Sequence, residues 1–159
     1  MLGTGLLTLI FGLHECSDFW GDCMKAWWTS VRSRCRGIRR LVIYLDNGPK
    51  NSGVTRKFLR RMLEFADRSG LEIRLVYYPP YHSKYNPIER VWGVLENHWN
   101  GELLNSVEKV LGLARTMTWN GKSPIVKMVK GVYEKGVKLT RKAMERLETL
   151  LIRLPGIEK

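Results

Sequence analysis

The sequence predicts an α/β fold in which about three strands with intervening helices come first and a helical tail follows. Two apolar runs, at 40–46 and 71–78, enclose a stretch of helical periodicity. This is the pattern of a βαβ unit with a parallel strand pair and a right-handed crossover. With 159 residues, of which 44% are apolar, the chain is long enough to bury one core.

The first two elements are a strand and a helix. Leu6–Gly12 is short, apolar and ended by glycine, which predicts a strand. Ser17 or Asp18 is expected to cap the helix that follows, which runs to about Arg32.

The βαβ unit comes next. The five central residues of Arg40–Asp46 are all apolar, as in a strand covered on both faces. Asn51 or Ser52 is expected to cap a helix over Val54–Arg68, which Gly70 stops. Leu71–Tyr78 then alternates apolar and charged residues, which predicts a strand with one less buried face.

The remaining chain is predicted to be a loop followed by helices. Pro79–Tyr85 is the loop, and Asn86 caps the next helix with Pro87 at its first position. Beyond Asn100-Gly101 the spacing is helical, and three further helices are expected to begin at Ser106, Pro124 and Thr140.

The formal net charge is +12, and the charge is unevenly placed. The first 23 residues hold three acids and no Lys or Arg, so all the basic residues lie beyond them. A field of this sign favours a polyanionic partner, with ordinary solubilising charge as the alternative. The longest apolar stretch, Leu6–Leu13, is too short to span a membrane. Three cysteines, an odd number, fit the reduced thiols of a cytoplasmic protein better than a disulfide framework.

Two acids stand out by position. Asp46 follows a predicted buried strand, and Glu89 lies in the first turn of the helix after the next strand. Because parallel strands end at the same edge of a sheet, the two carboxylates are expected to converge and to bind Mg²⁺ together with phosphate oxygens. Alternatively, Asp46 is a turn residue and Glu89 completes the capping box of its own helix. Glu96 is a weaker second candidate.

Two segments carry a family resemblance. YLDNGP at 44–49 and YPPYHSKYNPIERVW at 78–92 resemble the second and third acidic motifs of DDE transposases. The similarity is greatest to bacterial insertion-sequence transposases of the mariner-like group, and it covers about residues 5–155.

The resemblance implies a ribonuclease-H-like fold in which three carboxylates hold two Mg²⁺ or Mn²⁺ ions. Asp46 would be the second acid and Glu89 the third. Asn86 and Pro87 would fix the start of the helix so that Glu89 points at the metals, and Trp92 would anchor that helix in the core. Residues 1–104 would then form a partial catalytic domain, and 105–159 a helical C-terminal extension.

The chain also departs from the family pattern. The first two strands, the first catalytic Asp and an N-terminal DNA-reading helix-turn-helix are all missing. Asp18 and Asp22 are too close to Asp46 in sequence to replace that acid. We interpret the chain as the C-terminal part of a transposase, from a truncated or wrongly started gene, and we expect it to be inactive.

The function implied for the complete enzyme is DNA transposition by phosphodiester hydrolysis and strand transfer. Its partners would be the transposon ends and target DNA, bound by a homo-oligomer in the bacterial cytoplasm at the nucleoid. The alternatives are a non-enzymatic nucleic-acid-binding remnant and another ribonuclease-H-like nuclease. The candidates for phosphate contacts are basic side chains near the two acidic motifs. They are Lys50, Arg56, Lys57, Arg60, Arg61 and Lys84.

Overall fold

The structure, a computed structural model, describes residues 5–46, 48–79, 86–133 and 140–152, without the side chains of Met144 and Leu147. The strands are β1 (Thr8–Gly12), β2 (Arg40–Leu45), β3 (Glu72–Tyr77) and β4 (Ile125–Val129). The helices are α1 (Ser17–Val31), α2 (Arg56–Ser69), α3 (Pro87–His98), α4 (Val107–Thr116) and α5 (Arg141–Leu150).

The strands form two small parallel sheets. β2 pairs with β3 in a register that runs from Arg40 opposite Glu72 to Leu45 opposite Tyr77. The helix between them is α2, so the predicted βαβ unit is confirmed. β1 pairs with β4, also in parallel. The mixed α/β character predicted from the sequence is therefore confirmed, with helices packed around two strand pairs.

The segment after Pro124 is a strand, and the prediction of a helix there is wrong. Residues 125–129 read IVKMV, and the β-branched side chains among them favour extended backbone. Their hydrogen-bonding partner is β1, more than a hundred residues earlier, so no local window contains the pairing that decides the structure. β4 thereby joins residues beyond 105 to the first strand.

β2 is covered on one face only, which corrects the expectation of two covered faces. Leu45 is buried and Ile43 packs against the same cluster, whereas Val42 and Tyr44 are 39% and 51% exposed. The covered face lies against α2, whose Phe58 is among the most deeply buried side chains. Among the described residues the opposite face of β2 has no comparable layer.

The N-caps of α1 and α2 differ from those that the sequence predicts. Cys16, and neither Ser17 nor Asp18, caps α1, because its Sγ accepts the Phe19 N–H at 3.4 Å. α2 begins at Arg56 after Thr55, so Asn51 and Ser52 are not its caps.

Other helix ends follow the prediction. Gly70 ends α2 with φ of +69°, a left-handed conformation that glycine adopts without strain. Asn86 Oδ1 accepts the Ile88 N–H at 3.3 Å, and Pro87 opens α3. Ser106 and Thr140 cap α4 and α5 through their side-chain oxygens.

Two hydrophobic clusters form the core. One contains Leu9, Val91, Leu95, Ala114 and Met117. The other contains Leu45, Phe58, Leu59 and Met62 and lies between α2 and the β2–β3 pair.

The helices of the described residues lack the length and hydropathy of a membrane span.

α1 and α2 lie side by side with their first turns at the same end. Asp18 pairs with Lys57 near the start of both helices, and Arg32 and Arg68 line one groove near their ends. Gly21 permits the close approach, since a Cβ there would clash with the Arg61 side chain at Nε.

Tyr133, which follows β4, closes over the first turns of α1. Its hydroxyl donates to Asp22 Oδ2 at 3.1 Å, and its ring meets Phe19 edge-on. Burial, together with this hydrogen bond, raises the pKa of Tyr133. Burial, with a smaller contribution from Asp22, raises the pKa of the Cys23 thiol to about 12.

Stability should therefore fall in alkaline solution. Both folded-state pKa values are raised, so the folded chain keeps protons that the unfolded chain releases. The stabilisation is complete below the unfolded values, about 8.5 for Cys and about 10 for Tyr, and is lost as the pH rises beyond them. Urea unfolding at pH 7, 9 and 10.5 measures this loss. The double variant Cys23→Ala, Tyr133→Phe should lose less stability between pH 7 and 10.5, and an equally steep loss would contradict the assignment.

Candidate active site

Asp46 lies immediately after β2, at the carboxyl edge of the β2–β3 pair, and is exposed. Its Oδ1 accepts a hydrogen bond from Asn51 Nδ2 at 2.8 Å and a longer one from the Gly48 N–H at 3.4 Å. The turn interaction that the sequence left open is therefore present. It occupies one carboxylate oxygen, and Oδ2 makes no hydrogen bond within the described residues.

The loop that holds Asp46 is fastened to two other elements. Asn51 is only 2% exposed, and its backbone carbonyl accepts the Tyr77 hydroxyl at 3.1 Å. The Ser17 hydroxyl, at the start of α1, donates to the Lys50 carbonyl at 2.9 Å. We call these contacts, with the Asn51–Asp46 hydrogen bond, the Asp46 clamp. They fix the direction of the carboxylate.

Asn51 holds Asp46 in place, a contact that the sequence does not predict, since the sequence indicates Asn51 only as a helix cap. Its Oδ1 is buried without a hydrogen-bond partner among the described residues, which is costly for an amide oxygen. Gly48 makes room for it, because a Cβ at Gly48 would lie 3.1 Å from this oxygen. The sequence feature that could indicate this contact is an asparagine a few residues after Asp46, just beyond the Asp-Asn-Gly-Pro turn.

Glu89 lies in the first turn of α3 and is exposed. Within the described residues its carboxylate makes no hydrogen bond or ion pair, so the reciprocal bond of a capping box is not formed there. Trp92 is 43% exposed and does not anchor α3 in the core. Val91 and Leu95, 4% and 0% exposed, do so instead.

The structure brings Asp46 to the chain segment that leads to Glu89. The Tyr78 N–H donates to the Leu45 carbonyl at 2.9 Å, so the end of β3 lies beside the start of the Asp46 loop. The motif residues between Pro79 and Asn86, Lys84 among them, lie outside the described residues, as does Asn47. Within the described residues no group of three or more His, Cys, Asp or Glu side chains comes together to hold a metal.

Three of the five described basic side chains expected to contact phosphate are paired with acids of the chain. Lys57 Nζ lies 2.7 Å from Asp18 Oδ2, and Arg60 pairs with Asp18 at 3.6 Å. Arg61 bridges Asp22 on α1 and Glu64 on α2.

The other candidates differ in exposure and pairing. Lys50 and Arg56 are exposed and form no ion pair with any other described residue. Asp18 and Asp22, the upstream acids, are occupied by the pairs between α1 and α2. Glu96 is exposed on α3.

Comparison with known proteins places the chain in a family. No curated protein and no solved structure matches the chain significantly. A protein-family profile described as "Rhodopirellula transposase DDE domain" matches residues 3–155, nearly the whole chain. The match includes both acidic motifs, with Asp46 and Glu89. The chain therefore belongs to the DDE-type insertion-sequence transposases.

Proposed function

We propose that this chain supplies part of the catalytic domain of a transposase that cuts DNA and joins it by metal-dependent phosphodiester hydrolysis and strand transfer. The observation that carries the proposal is Asp46, held in one direction at the carboxyl edge of a parallel strand pair by the Asp46 clamp. Ligands of parallel sheets bind at this edge. In a transposase of this family, we expect an acid that is held in one direction at this edge of the sheet to take part in the reaction.

The residues present suit a divalent metal ion. Asp46 Oδ2 and the Glu89 carboxylate are hard oxygen ligands that no other described residue engages. Bound Mg²⁺ or Mn²⁺ would activate the attacking water or 3′-hydroxyl and stabilise the leaving oxygen. Asp46 and Glu89 would hold the metal and would transfer no proton. Asn51 orients Asp46, and Asn86 with Pro87 sets where α3 begins.

Phosphate contacts form the second part of the proposal. Lys50 adjoins the Asp46 clamp and Arg56 opens α2, so these two unpaired cations are the first choice for holding DNA near the metal site. The other three candidates on α2 already form ion pairs with acids of α1, so these acids would partly neutralise any contact that they make with phosphate. They are Lys57, Arg60 and Arg61. The sequence alone supports Lys84.

The finer assignments belong to the same proposal. They comprise a ribonuclease-H-like catalytic part over residues 1–104, a C-terminal extension over 105–159 and the mariner-like subgroup. They also include a homo-oligomer on transposon ends and target DNA, and a place in the bacterial cytoplasm at the nucleoid. The family membership supports the catalytic part and the DNA partners. β4 pairs with β1, so the two parts share a sheet across the boundary at residue 104.

The chain alone should neither nick nor join DNA. Two metal ions a few ångströms apart repel each other, and Asp46 and Glu89 supply only two of the three carboxylates expected to offset that repulsion. Mg²⁺ also demands near-ideal octahedral geometry and keeps its waters, so a partial site binds it weakly. A supercoiled-plasmid assay in Mg²⁺ and in Mn²⁺, beside Asp46→Ala, measures this. Nicking that disappears in Asp46→Ala would contradict the expectation and would indicate that Asp18, Asp22 or Glu96 completes the site.

A nucleic-acid-binding remnant without a metal site is the second candidate. It is favoured by the lack of any three-residue ligand group within the described residues. The two candidates differ in whether Asp46 and Glu89 bind one ion between them. Metal titration of variants at these two positions therefore separates them.

A further inference from the structure

An arginine-rich segment lies outside both acidic motifs. Residues 32–40 contain five arginines, and no Asp or Glu occurs from 23 to 45. The chain leaves α1 in a short 3-10 turn, Arg32–Arg34, turns again at Gly37 with φ of +82°, and enters β2 at Arg40. All five arginines are exposed, and we call them the arginine edge.

The arginine edge lies at the opposite end of the β2–β3 pair from Asp46. Arg40 begins β2 and Asp46 follows its end, and the Arg39 carbonyl accepts the N–H of Glu72, the first residue of β3. α1 and α2 also end here, so Arg32 lines a groove together with Lys25, Trp28 and Arg68.

Most of this charge has no partner. Arg40 pairs with Glu72 at 2.8 Å, whereas the side chains of Arg32, Arg34, Arg36 and Arg39 form no ion pair or hydrogen bond with other described residues. This differs from Arg60 and Arg61 of α2, which are paired with acids of α1 and α2. The dipole of α1 favours a cation at Arg32, directly after the last helical turn. It does not account for the other three, which lie farther along the loop.

Exposed, unpaired arginines spaced along one loop fit phosphate groups. The guanidinium is planar and always charged, and it binds phosphate oxygens with two parallel hydrogen bonds. Ile38 is the only large hydrophobic residue of the segment that is markedly exposed, at 41%, so the surface is not an apolar docking site. A repeated, regularly charged backbone matches such a surface better than an acidic protein patch does.

We propose that the arginine edge binds the phosphate backbone of duplex DNA at a position away from the edge that carries Asp46. The chain then has two DNA-contacting surfaces, one beside the candidate metal site and one at the other end of the strands. This inference depends on neither the metal nor the roles of Asp46 and Glu89. It goes beyond the proposed function, which places phosphate contacts near the acidic motifs only.

The test is the salt dependence of duplex binding by the full chain, measured by fluorescence anisotropy with a labelled 20-base-pair DNA and no divalent metal. The variant is Arg34→Gln, Arg36→Gln, Arg39→Gln. The matched control is Arg115→Gln, Lys122→Gln, Lys142→Gln, which removes the same charge from exposed residues that are unpaired within the described part of the chain. Each phosphate contact contributes about 0.9 to the log–log slope, so the variant should lose about 2 to 3 and the control less than about 1.

Four further measurements distinguish phosphate binding from the alternatives. Circular dichroism shows that the variant is folded, and Arg34→Lys, Arg36→Lys, Arg39→Lys should retain most of the slope. An unchanged slope in the Gln variant, or an equal loss in the control, overturns the proposal. Loss of binding to poly-glutamate with duplex binding retained would identify an acidic protein as the partner and also overturn it. A loss of slope confined to Lys50→Gln, Arg56→Gln would overturn the arginine edge and leave the proposed function standing.

Discussion

Replacing Phe58 by alanine should lower the free energy of unfolding by about 3–5 kcal/mol. Phe58 is 1% exposed and lies at the centre of the cluster between α2 and the β2–β3 pair. Truncation removes the ring from its neighbours and leaves a cavity that a close-packed core fills only in part. Because small domains are stable by only about 5–15 kcal/mol, such a loss leaves much of the chain unfolded under mild denaturing conditions.

Urea unfolding followed by circular dichroism measures this effect. The control is Val54→Ala, just before α2, because Val54 is 70% exposed and its truncation should change stability by less than about 0.5 kcal/mol. If both variants lost the same small amount, α2 would not pack on the strand pair through Phe58.

Replacing Asn51 by aspartate should destabilise the chain more than replacing it by alanine, although aspartate has nearly the shape of asparagine. Asn51 Nδ2 lies 2.8 Å from Asp46 Oδ1, and the residue is 2% exposed. The aspartate variant sets a second carboxylate against the first in a buried position, at an expected cost of about 3–5 kcal/mol. The alanine variant loses one hydrogen bond to a charged group, which costs about 1.5–3 kcal/mol.

Thermal unfolding of the two Asn51 variants and the native chain at neutral pH makes the comparison. Leu103→Ala, at a 72% exposed position, is the control for an ordinary loop substitution. An aspartate variant as stable as the alanine variant would show that Asn51 does not donate to Asp46, and the Asp46 clamp would lose its central contact.

The sequence predicted those elements whose signals are local. The apolar run of β2, the periodicity of α2 and the glycine that ends it lie within one stretch of chain. Asn86 and Pro87 likewise predict the start of α3 from adjacent residues. For each of these elements, the residue propensities, the residues at its ends and the pattern of buried side chains indicate the same structure.

What the sequence missed depends on contacts between distant residues. β4 is a strand because β1 pairs with it, and no pattern within residues 120–130 contains that partner. Asn51 was expected as a cap, but Tyr77 and Asp46 engage it instead. Lys57 and its neighbours were expected to contact phosphate from an open helix face, yet α1 supplies acids to three of them. Tertiary packing brings each of these partners together, and a short sequence motif carries no information about that packing.

We propose that Asp46 and Glu89 hold one metal ion between them. Electron paramagnetic resonance of free Mn²⁺ measures binding directly and works for weak sites in the ~mM range expected of a partial Mg²⁺-type site. The full chain is compared with Asp46→Asn, Glu89→Gln and the double variant, and Glu96→Gln on the exposed side of α3 is the control. We expect each single substitution to weaken Mn²⁺ binding, the double variant to bind little more weakly than either single variant, and the control to bind as the native chain does. Native affinity in both single variants, or losses that simply add in the double variant, would contradict a shared site.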